Sequence, residues 1–342
     1  MQTHFRFVKR IWKIVLACIL VCAGIFFFFK YLYQPIQHFD KTVFEMGTAV
    51  SISLYANNDQ EIRNVTKVIH DLDTLVLSWR SNTSEVYALN ENGGGNLSDT
   101  LKNAFEQCFA LAKDTDGAFD FTLRNLIALW GIETDSPKVP KETDIKNVLE
   151  NAGYENVVLE NQKLVLQNGV QLDFGAMGKG YALDLVRDYL ETTDVSGAVI
   201  AVGGSILTFQ SNPEDRPWKI GIQDPNGSQG EYMLLLMVNG TKCISTSGDY
   251  EKYFEENGVK YHHIFDSKTG APAVSDVRSV TVLCENGLVS DALSTACFVL
   301  GYENSLPVLK KYQAEAIFIM EDGSVVTSPD FSVPYEVLNV NN

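Results

Sequence analysis

The sequence has few positive charges beyond its first 39 residues. Five of the 27 Lys and Arg residues lie in that segment, so the remainder carries 22 basic against 43 acidic residues, a net charge of −21. Proteins that bind nucleic acid neutralise phosphates with clustered basic side chains. The composition therefore excludes nucleic acid as an expected partner, and the acidity is most simply explained by solubility.

Metal-binding cysteine patterns and nucleotide-binding loops are also absent. Cys108, Cys243, Cys284 and Cys297 form no CxxC pair, and no histidine lies near them at zinc-ligand spacing. We predict that these cysteines are buried small residues, and their pairing stays open. The chain has no internal repeat and no G-x-x-x-x-G-K-[ST] loop, and the absence of this loop excludes a P-loop NTPase.

Long apolar runs are absent with one exception near the N-terminus. Residues 14–29 (IVLACILVCAGIFFFF) are uncharged, four basic residues precede them and Lys30 follows. As a helix this run spans about 24 Å, slightly less than a bilayer core, and flanking lysines can snorkel. We predict a single-pass membrane anchor at 14–33. Because the positive charges lie on its N-terminal side, residues 1–13 are expected in the cytoplasm and the rest outside it.

Two other interpretations of this segment stay open, a cleaved secretory signal and a lipoprotein signal processed at Cys18 or Cys22. Only four apolar residues separate Lys13 from Cys18, and no A-x-A site follows the run. These observations favour the anchor. Residues 34–40 are then a tether and residues 41–338 one extracytoplasmic domain.

The remainder mixes strands and helices without a regular βαβ period, which predicts an α+β fold. Alternation over Thr42–Tyr55 predicts a hairpin that turns at Met46-Gly47-Thr48. Helical spacing predicts helices at 59–77, 98–113, 179–190 and 289–300, with Ser290 available as an N-cap of the last and Gly301 ending it. Further strands are predicted at 157–160, 163–167, 199–202, 206–210, 218–222, 232–238 and 279–283, and a surface loop at 133–143.

Two segments place charged or hydroxyl groups near predicted helix starts. In Leu172–Asp184 (LDFGAMGKGYALD), glycines and Lys179 precede a helix, so N–H groups can approach an anion, although a plain strand-to-helix turn explains the residues equally well. Asp291 and Thr295 are one helical turn apart and project from one face, which suits Mg²⁺. A capping Asp and a Thr bonded to the preceding turn would look the same.

Two further segments offer acid–base or packing groups. Ser245–Tyr250 and Tyr261–Gly270 together supply histidine, aspartates and hydroxyls that could hold a general base and its orienting partner, although a solitary histidine on a strand is more often structural. Gly117–Gly131 joins a turn-like G-A-F-D to an apolar helix, and core packing would explain most of it.

The order and the residues of these segments resemble those of the ApbE family of FAD:protein FMN transferases. The family patterns G-A-F-D-P-T…L-W-G and L-D-[LF]-G-[GA]-x-[AG]-K-G-Y-A-x-D correspond to residues 117–131 and 172–184. The patterns G-G, T-S-G-D-Y, H-I-x-D-x-x-T-G and D-A-L-[AS]-T-A correspond to 203–204, 246–250, 263–270 and 291–296. Met46-Gly47-Thr48 and residues 84–90 add two shorter matches. The resemblance covers nearly the whole chain after residue 40.

This resemblance implies a T-fold-related mixed sheet with packed helices and a Mg²⁺-dependent reaction on FAD. FMN is transferred to a Ser or Thr of an extracytoplasmic flavin-acceptor protein, and AMP is released. The alternatives are an FAD pyrophosphatase and a non-catalytic flavin-binding surface protein. The resemblance also implies metal binding by Asp291, Thr295 and the main-chain oxygen of Ala176, and a catalytic base at His263. The residues implied to line the FAD site are Met46, Arg80, Ala118, Phe119, Asp120, Asp173, Lys179 and Ile264.

The sequence departs from the family pattern at several positions. Many relatives have an aromatic residue at the position aligned with Arg80, whereas here Trp79 lies one place earlier, so the flavin-stacking residue stays open. Phe121 replaces the family's proline, and Ser205 replaces an acidic residue that often follows the G-G pair. No departure removes a predicted metal ligand or His263, so the expected chemistry is retained.

Overall fold

The computed structural model describes residues 36–338 apart from 133, 161 and 229, together with 12–13, 15–16 and 19–24. Most of the predicted anchor at 14–33 lies outside the described residues, as does the predicted cytoplasmic segment except for residues 12–13. Among the residues that are described, no helix is both long and apolar enough to cross a membrane. The anchor therefore stays a prediction.

An eight-stranded antiparallel sheet forms the centre of the fold. Its strands are β1 (Gln37–Glu45), β2 (Thr48–Ala56), β6 (Gly197–Val202), β7 (Ser205–Phe209), β10 (Lys242–Gly248), β13 (Val277–Cys284), β14 (Glu315–Met320) and β15 (Val325–Thr327), paired in that order. Val50, Ile52, Val202 and Val280 of the inner strands are fully buried, as expected for β-branched side chains that pack on a pleated surface. Consecutive neighbours are all antiparallel.

Three small sheets surround this one. They consist of β3 (Gly94–Asn96), β5 (Lys163–Leu166) and β4 (Val157–Glu160); of β16 (Tyr335–Val337), β9 (Tyr232–Val238) and β8 (Trp218–Gln223); and of the hairpin β11 (Tyr253–Glu256) and β12 (Val259–His262).

The helices are mostly short, and the last one is broken. They are α1 (Gln60–Asp71) with the π-helical extension Leu72–Leu77, α2 (Glu85–Asn92), α3 (Asp99–Asp114), α4 (Arg124–Trp130), α5 (Glu142–Leu149), the 3-10 turn Tyr154–Asn156, α6 (Gly178–Leu190) and α7 (Gly287–Lys311). Inside α7, Gly301 leaves helical geometry with φ 76° and ψ 174°.

Both faces of the large sheet are covered. Val50, Ile52 and Leu54 of β2 belong to the main core that includes the buried faces of α6 and α7, whereas Tyr55 belongs to a second core with β8 and β9. A fully buried large apolar side chain stabilises the fold by roughly 1.5–3 kcal/mol, so the two cores fix the sheet between its covering layers.

The structure confirms the α+β class and the predicted hairpin. β1 and β2 are joined by a two-residue turn in which Met46 and Gly47 both have positive φ, 52° and 69°, as the right-handed twist of a hairpin favours. The predicted strands from 157 to 283 are all present, with ends shifted by at most two residues. Ser98 caps α3 by accepting the Leu101 N–H.

Three predicted boundaries need correction. β1 begins at Gln37, so the sheet starts inside the predicted tether 34–40. Helix α7 begins at Gly287 with Asn286 as its N-cap, while Ser290 lies inside the helix and donates to the Val282 carbonyl. Helical residues continue beyond Gly301 as far as Lys311, because the glycine breaks the helix axis without ending the segment.

Candidate active site

Asp291 connects three parts of the fold through one carboxylate. The residue is only 3% exposed. Its Oδ2 accepts the N–H of Gly180 in the first turn of α6 at 3.0 Å, and its Oδ1 accepts the hydroxyl of Ser205 on β7 at 3.0 Å. The Lys179 ammonium lies 3.4 Å from Oδ1. The predicted ligand Asp291 and the predicted anion-binding Lys179 are thus brought together.

Helices α6 and α7 approach each other at a glycine pair. A Cβ on Gly180 would lie 1.9 Å from the Gly287 carbonyl oxygen, and a Cβ on Gly287 would lie 2.2 Å from the Gly180 carbonyl oxygen. Side chains cannot fit at either position, so both residues must be glycine for the backbones to meet. This contact places the first turn of α6 beside Asp291.

Asp184 caps α7 from the neighbouring helix. Its carboxylate accepts the N–H groups of Gly287 and Leu288 at 2.7 and 2.8 Å, and Arg187 pairs with it at 2.8 Å. These two N–H groups have no partner within their own helix. The sequence pattern suggested an anion site for the whole segment 172–184, whereas Gly180 and Asp184 serve helix packing and capping. An Asp one turn after a Gly at the start of a helix was the sequence feature that could have indicated this capping role.

Thr295 lies one turn beyond Asp291 and contacts β10. The Ser247 hydroxyl is 3.4 Å from Thr295 Oγ1 and 2.8 Å from the Ser294 hydroxyl. The third predicted ligand, Ala176, lies two residues before α6, in the turn from which α6 reaches Asp291. The three predicted oxygen donors therefore come from elements that meet at this carboxylate.

The donor set fits a hard cation such as Mg²⁺. Ser245 precedes Ser247 on the same face of β10 and lies opposite Ser205, and its buried hydroxyl has no hydrogen-bond partner among the described residues. An unpaired buried hydroxyl costs about 1–3 kcal/mol, so a polar occupant is favoured here. Across the described residues no cluster of three His, Cys, Asp or Glu suits a metal. The arrangement matches a cation that keeps water and phosphate ligands.

The predicted FAD-lining loops meet beside this region. The Asp173 N–H donates to the Phe121 carbonyl at 2.8 Å, and Ser267 donates to the Gly117 carbonyl at 2.8 Å. Loop 117–121, which contains the buried Ala118 and Phe119, therefore contacts both the 172–177 turn and the 263–270 segment. Ile264 is buried within that last segment.

Asp120 is an unusual acid in this loop junction. Its Oδ1 accepts the N–H and the hydroxyl of Thr122 at 2.8 and 2.6 Å. Burial raises the pKa of Asp120 to about 6, although the bonds from Thr122 oppose the shift. The carboxyl group thus loses its proton at a pH closer to neutrality than an ordinary aspartate does.

Arg80 belongs to an aromatic and cationic cavity of about 320 Å³. The guanidinium carbons of Arg80 and Arg124 lie 3.8 and 3.5 Å from the centre of the Trp79 ring. Burial lowers the pKa of Arg124, and the neighbouring Asp173 opposes this shift. The sequence did not predict Arg124, because it lies within the apolar segment 117–131 that core packing explained.

Met46 is close to the start of α6. Its Cε lies 3.4 Å from the position that a Cβ would take on Gly178, so the hairpin turn packs against the turn that carries Ala176. The left-handed backbone of Met46 aims this side chain. The family-implied position is therefore beside the turn that contains the predicted ligand Ala176.

His263 is oriented by the main chain of Lys252. The main-chain N–H of His263 donates to the Lys252 carbonyl at 3.0 Å, and the ring atom Nδ1 lies 3.3 Å from the same oxygen. Since a carbonyl only accepts, Nδ1 carries the proton in the neutral ring and Nε2 is the basic nitrogen. The adjacent His262 differs: it is buried against Phe298, it contacts the Ala273 carbonyl, and burial lowers its pKa.

Glu251 is a further acidic residue at the site, and the sequence did not predict it. Its Oε1 is 3.2 Å from the position of a Cβ on Gly204, while Lys179 Cδ is 3.6 Å from the corresponding position on Gly203. The residue is exposed, and its carboxyl group lies against the turn at Gly204. Desolvation raises the pKa of Glu251, Lys179 opposes the shift and Asp291 adds to it.

Comparison with known proteins identifies the family of this chain. The ApbE family model matches residues 46–318. The FAD:protein FMN transferase of Treponema pallidum is 30% identical over 346 residues, covering 93% of each chain. The ApbE protein of Thermotoga maritima aligns with a TM-score of 0.80 and 30% identity, covering 86% of this chain and 97% of that one.

A second solved structure gives the same result. The apo form of the Pseudomonas stutzeri flavinyl transferase ApbE aligns with a TM-score of 0.74 and 28% identity, over 86% of this chain and 95% of that one. The chain therefore belongs to the ApbE family, and the predicted resemblance is confirmed.

Proposed function

We propose that this protein is a Mg²⁺-dependent FAD:protein FMN transferase. It cleaves the FAD pyrophosphate, attaches FMN through a phosphoester to a Ser or Thr of an extracytoplasmic partner, and releases AMP. Family membership and the names of the relatives support the reaction class. The observation that carries the proposal is the convergence of Asp291, Lys179 and the start of α6 on one buried point.

Asp291, Thr295 and the Ala176 carbonyl would hold the cation, which supplies neutralisation of charge on the pyrophosphate. The N-terminal N–H groups of α6 and the Lys179 ammonium favour an anion at the same place. The protein thus offers positive potential where negative charge increases during transfer.

His263 is assigned as the general base. Its Nε2 accepts the proton of the acceptor hydroxyl, whose oxygen forms a bond to the phosphorus of the FMN half. The bond from that phosphorus to the bridging oxygen breaks, and the electron pair leaves with AMP. The Lys252 carbonyl keeps the ring in the tautomer that this step needs. The cavity at Trp79 supplies an aromatic lining for the flavin end of FAD.

The two roles are tested by separate substitutions in the purified protein. Asp291→Asn should abolish both FMN transfer and any FAD hydrolysis, because both reactions need the cation. His263→Ala should slow transfer by about 10²- to 10⁴-fold and leave FAD affinity near normal. Mass spectrometry of the acceptor protein measures added FMN, and chromatography measures AMP and free FMN.

Thermal unfolding of each variant and the exposed-histidine control His70→Ala complete this experiment. Near-normal transfer by His263→Ala, or a loss that unfolding explains, would contradict the base assignment. Equal FMN release with and without an acceptor protein would indicate the FAD pyrophosphatase instead.

We also propose that the segment 14–33 anchors the protein in the cell membrane with the catalytic domain outside the cytoplasm. The apolar run and the basic residues before it support this placement. Intact mass of the membrane-bound protein should show an unprocessed N-terminus; a chain that begins at Cys18 or Cys22 would establish a lipoprotein.

A further inference from the structure

The Lys179 ammonium is positioned between two carboxylates. It lies 3.4 Å from Asp291 Oδ1, and its side chain is only 27% exposed. Its stem passes Gly203, while the Glu251 carboxylate lies against Gly204, the next residue of the same turn. Ser205 follows directly and binds Asp291. Lys179, Glu251 and Asp291 therefore lie beside three consecutive residues, the two turn glycines and the first residue of β7.

Such an arrangement has the charge pattern of an occupied cation site. Asp291 is buried, and a buried carboxylate needs a compensating positive charge. The Glu251 carboxylate and the Lys179 stem lie at adjacent glycines, and the Lys179 ammonium lies beside Asp291, so the three charges are close enough to interact. A divalent cation on Asp291 and the ammonium beside the same oxygen would repel each other strongly across a few ångströms.

We propose that Lys179 is the resident cation of a site formed by Asp291 and Glu251, and that a divalent cation displaces its ammonium on binding. This inference rests on the proposed function and deepens it. Displacement releases the ammonium from Asp291, and the phosphates of FAD are the anion that it then meets. Cation loading and preparation of the FAD site are thereby one event, and Glu251 acts as the second carboxylate that attracts the cation.

The test is a titration of the FAD-free protein with Mn²⁺, followed by the electron paramagnetic resonance signal of free Mn²⁺. Lys179→Met removes the competing ammonium and should tighten Mn²⁺ binding about three- to tenfold, since the competent state becomes fully populated. Glu251→Gln keeps the shape of the side chain and should weaken Mn²⁺ binding by about the same factor. Unchanged binding in either variant would overturn the proposal.

A matched control separates displacement from a general change of charge. Lys252→Met removes an equal charge close to Glu251 but leaves the ammonium on Asp291. It should change Mn²⁺ affinity less than twofold, roughly the effect of an exposed charge. If Lys252→Met tightens Mn²⁺ binding as much as Lys179→Met, the gain in affinity comes from the general loss of positive charge and not from displacement of an ammonium, and the inference fails.

Asp291→Asn distinguishes this inference from the proposed function. It should lose Mn²⁺ binding in the same titration, with thermal unfolding confirming that the protein is folded. Normal Mn²⁺ binding by Asp291→Asn would remove the cation site of the proposed function itself. Loss of binding in Asp291→Asn with no gain in Lys179→Met would leave that function standing and reject only the displacement.

Discussion

The glycine contact between α6 and α7 offers the sharpest test of how the site is built. A Cβ introduced by Gly180→Ala would lie 1.9 Å from the Gly287 carbonyl oxygen, 2.6 Å from its carbonyl carbon and 2.7 Å from Asp291 Cβ. Ordinary contacts are about 3.4 Å or longer. The two helices must therefore separate by more than 1 Å, because backbone cannot rotate away as a side chain can.

The expected cost follows from overpacking of a closed core. Such substitutions destabilise proteins by about 1–3 kcal/mol and sometimes more, and this contact is with rigid backbone, so we expect at least about 3 kcal/mol. For a domain of this size the melting temperature should fall by about 5–10 °C. Separation of the helices also moves the Gly180 N–H away from Asp291, so Mn²⁺ affinity should fall in parallel.

Gly178→Ala is the matched control in the same helix turn. Its Cβ would meet only the ends of the Leu77 and Met46 side chains, each at 3.4 Å. Urea unfolding and Mn²⁺ titration of both variants give the comparison. Should Gly180→Ala prove as stable as Gly178→Ala, close backbone contact would not be what positions Asp291.

Two further predictions concern buried acids. Asp184→Asn leaves a single side-chain oxygen for two α7 N–H groups and removes the charge that pairs with Arg187. Urea unfolding should show that the free energy of unfolding falls by about 1–3 kcal/mol. A decrease no larger than that of the exposed Asp188→Asn would contradict the capping role. The Asp120 pKa of about 6 exceeds its ordinary value of 3.8, so the folded state favours the protonated acid, and its contribution to stability is complete below the ordinary value and lost as the pH rises through about 6. Asp120→Asn imitates the protonated acid and should gain up to about 3 kcal/mol relative to the unchanged protein between pH 4 and 7.5; a difference in melting temperature that does not vary with pH would refute this.

The sequence was sufficient to predict which segments meet, because each carries several chemically distinctive residues in a fixed order. The predicted ligands Asp291 and Thr295 share a helix face, as their spacing requires, and Lys179 reaches the first of them. The hairpin turn was also predictable, because a Gly in the turn tolerates the positive φ that a two-residue connection needs.

The remaining features depend on tertiary contacts that local patterns do not contain. Asp184, a residue of another helix more than a hundred positions earlier, accepts the first two N–H groups of α7, a contact that no local pattern contains. The local N-cap is Asn286 and not the predicted Ser290. Glu251 follows a recognised segment, but only the fold brings it to Gly204. Arg124 was hidden by the apolar residues around it, although its guanidinium lies over Trp79.

The contacts between α6 and α7 have an approximate twofold symmetry. Each helix contains the pattern G-x-x-x-D, at Gly180–Asp184 and at Gly287–Asp291. Asp184 accepts two N–H groups from the first turn of the other helix, and Asp291 accepts one. The two equivalent carboxylates differ only in their surroundings: Arg187 from its own helix closes one, whereas Lys179 approaches the other from the opposite helix. The reciprocal contacts thus yield one aspartate that is paired within its own helix and one whose basic partner comes from the facing helix, which is the partner that the proposed displacement would release.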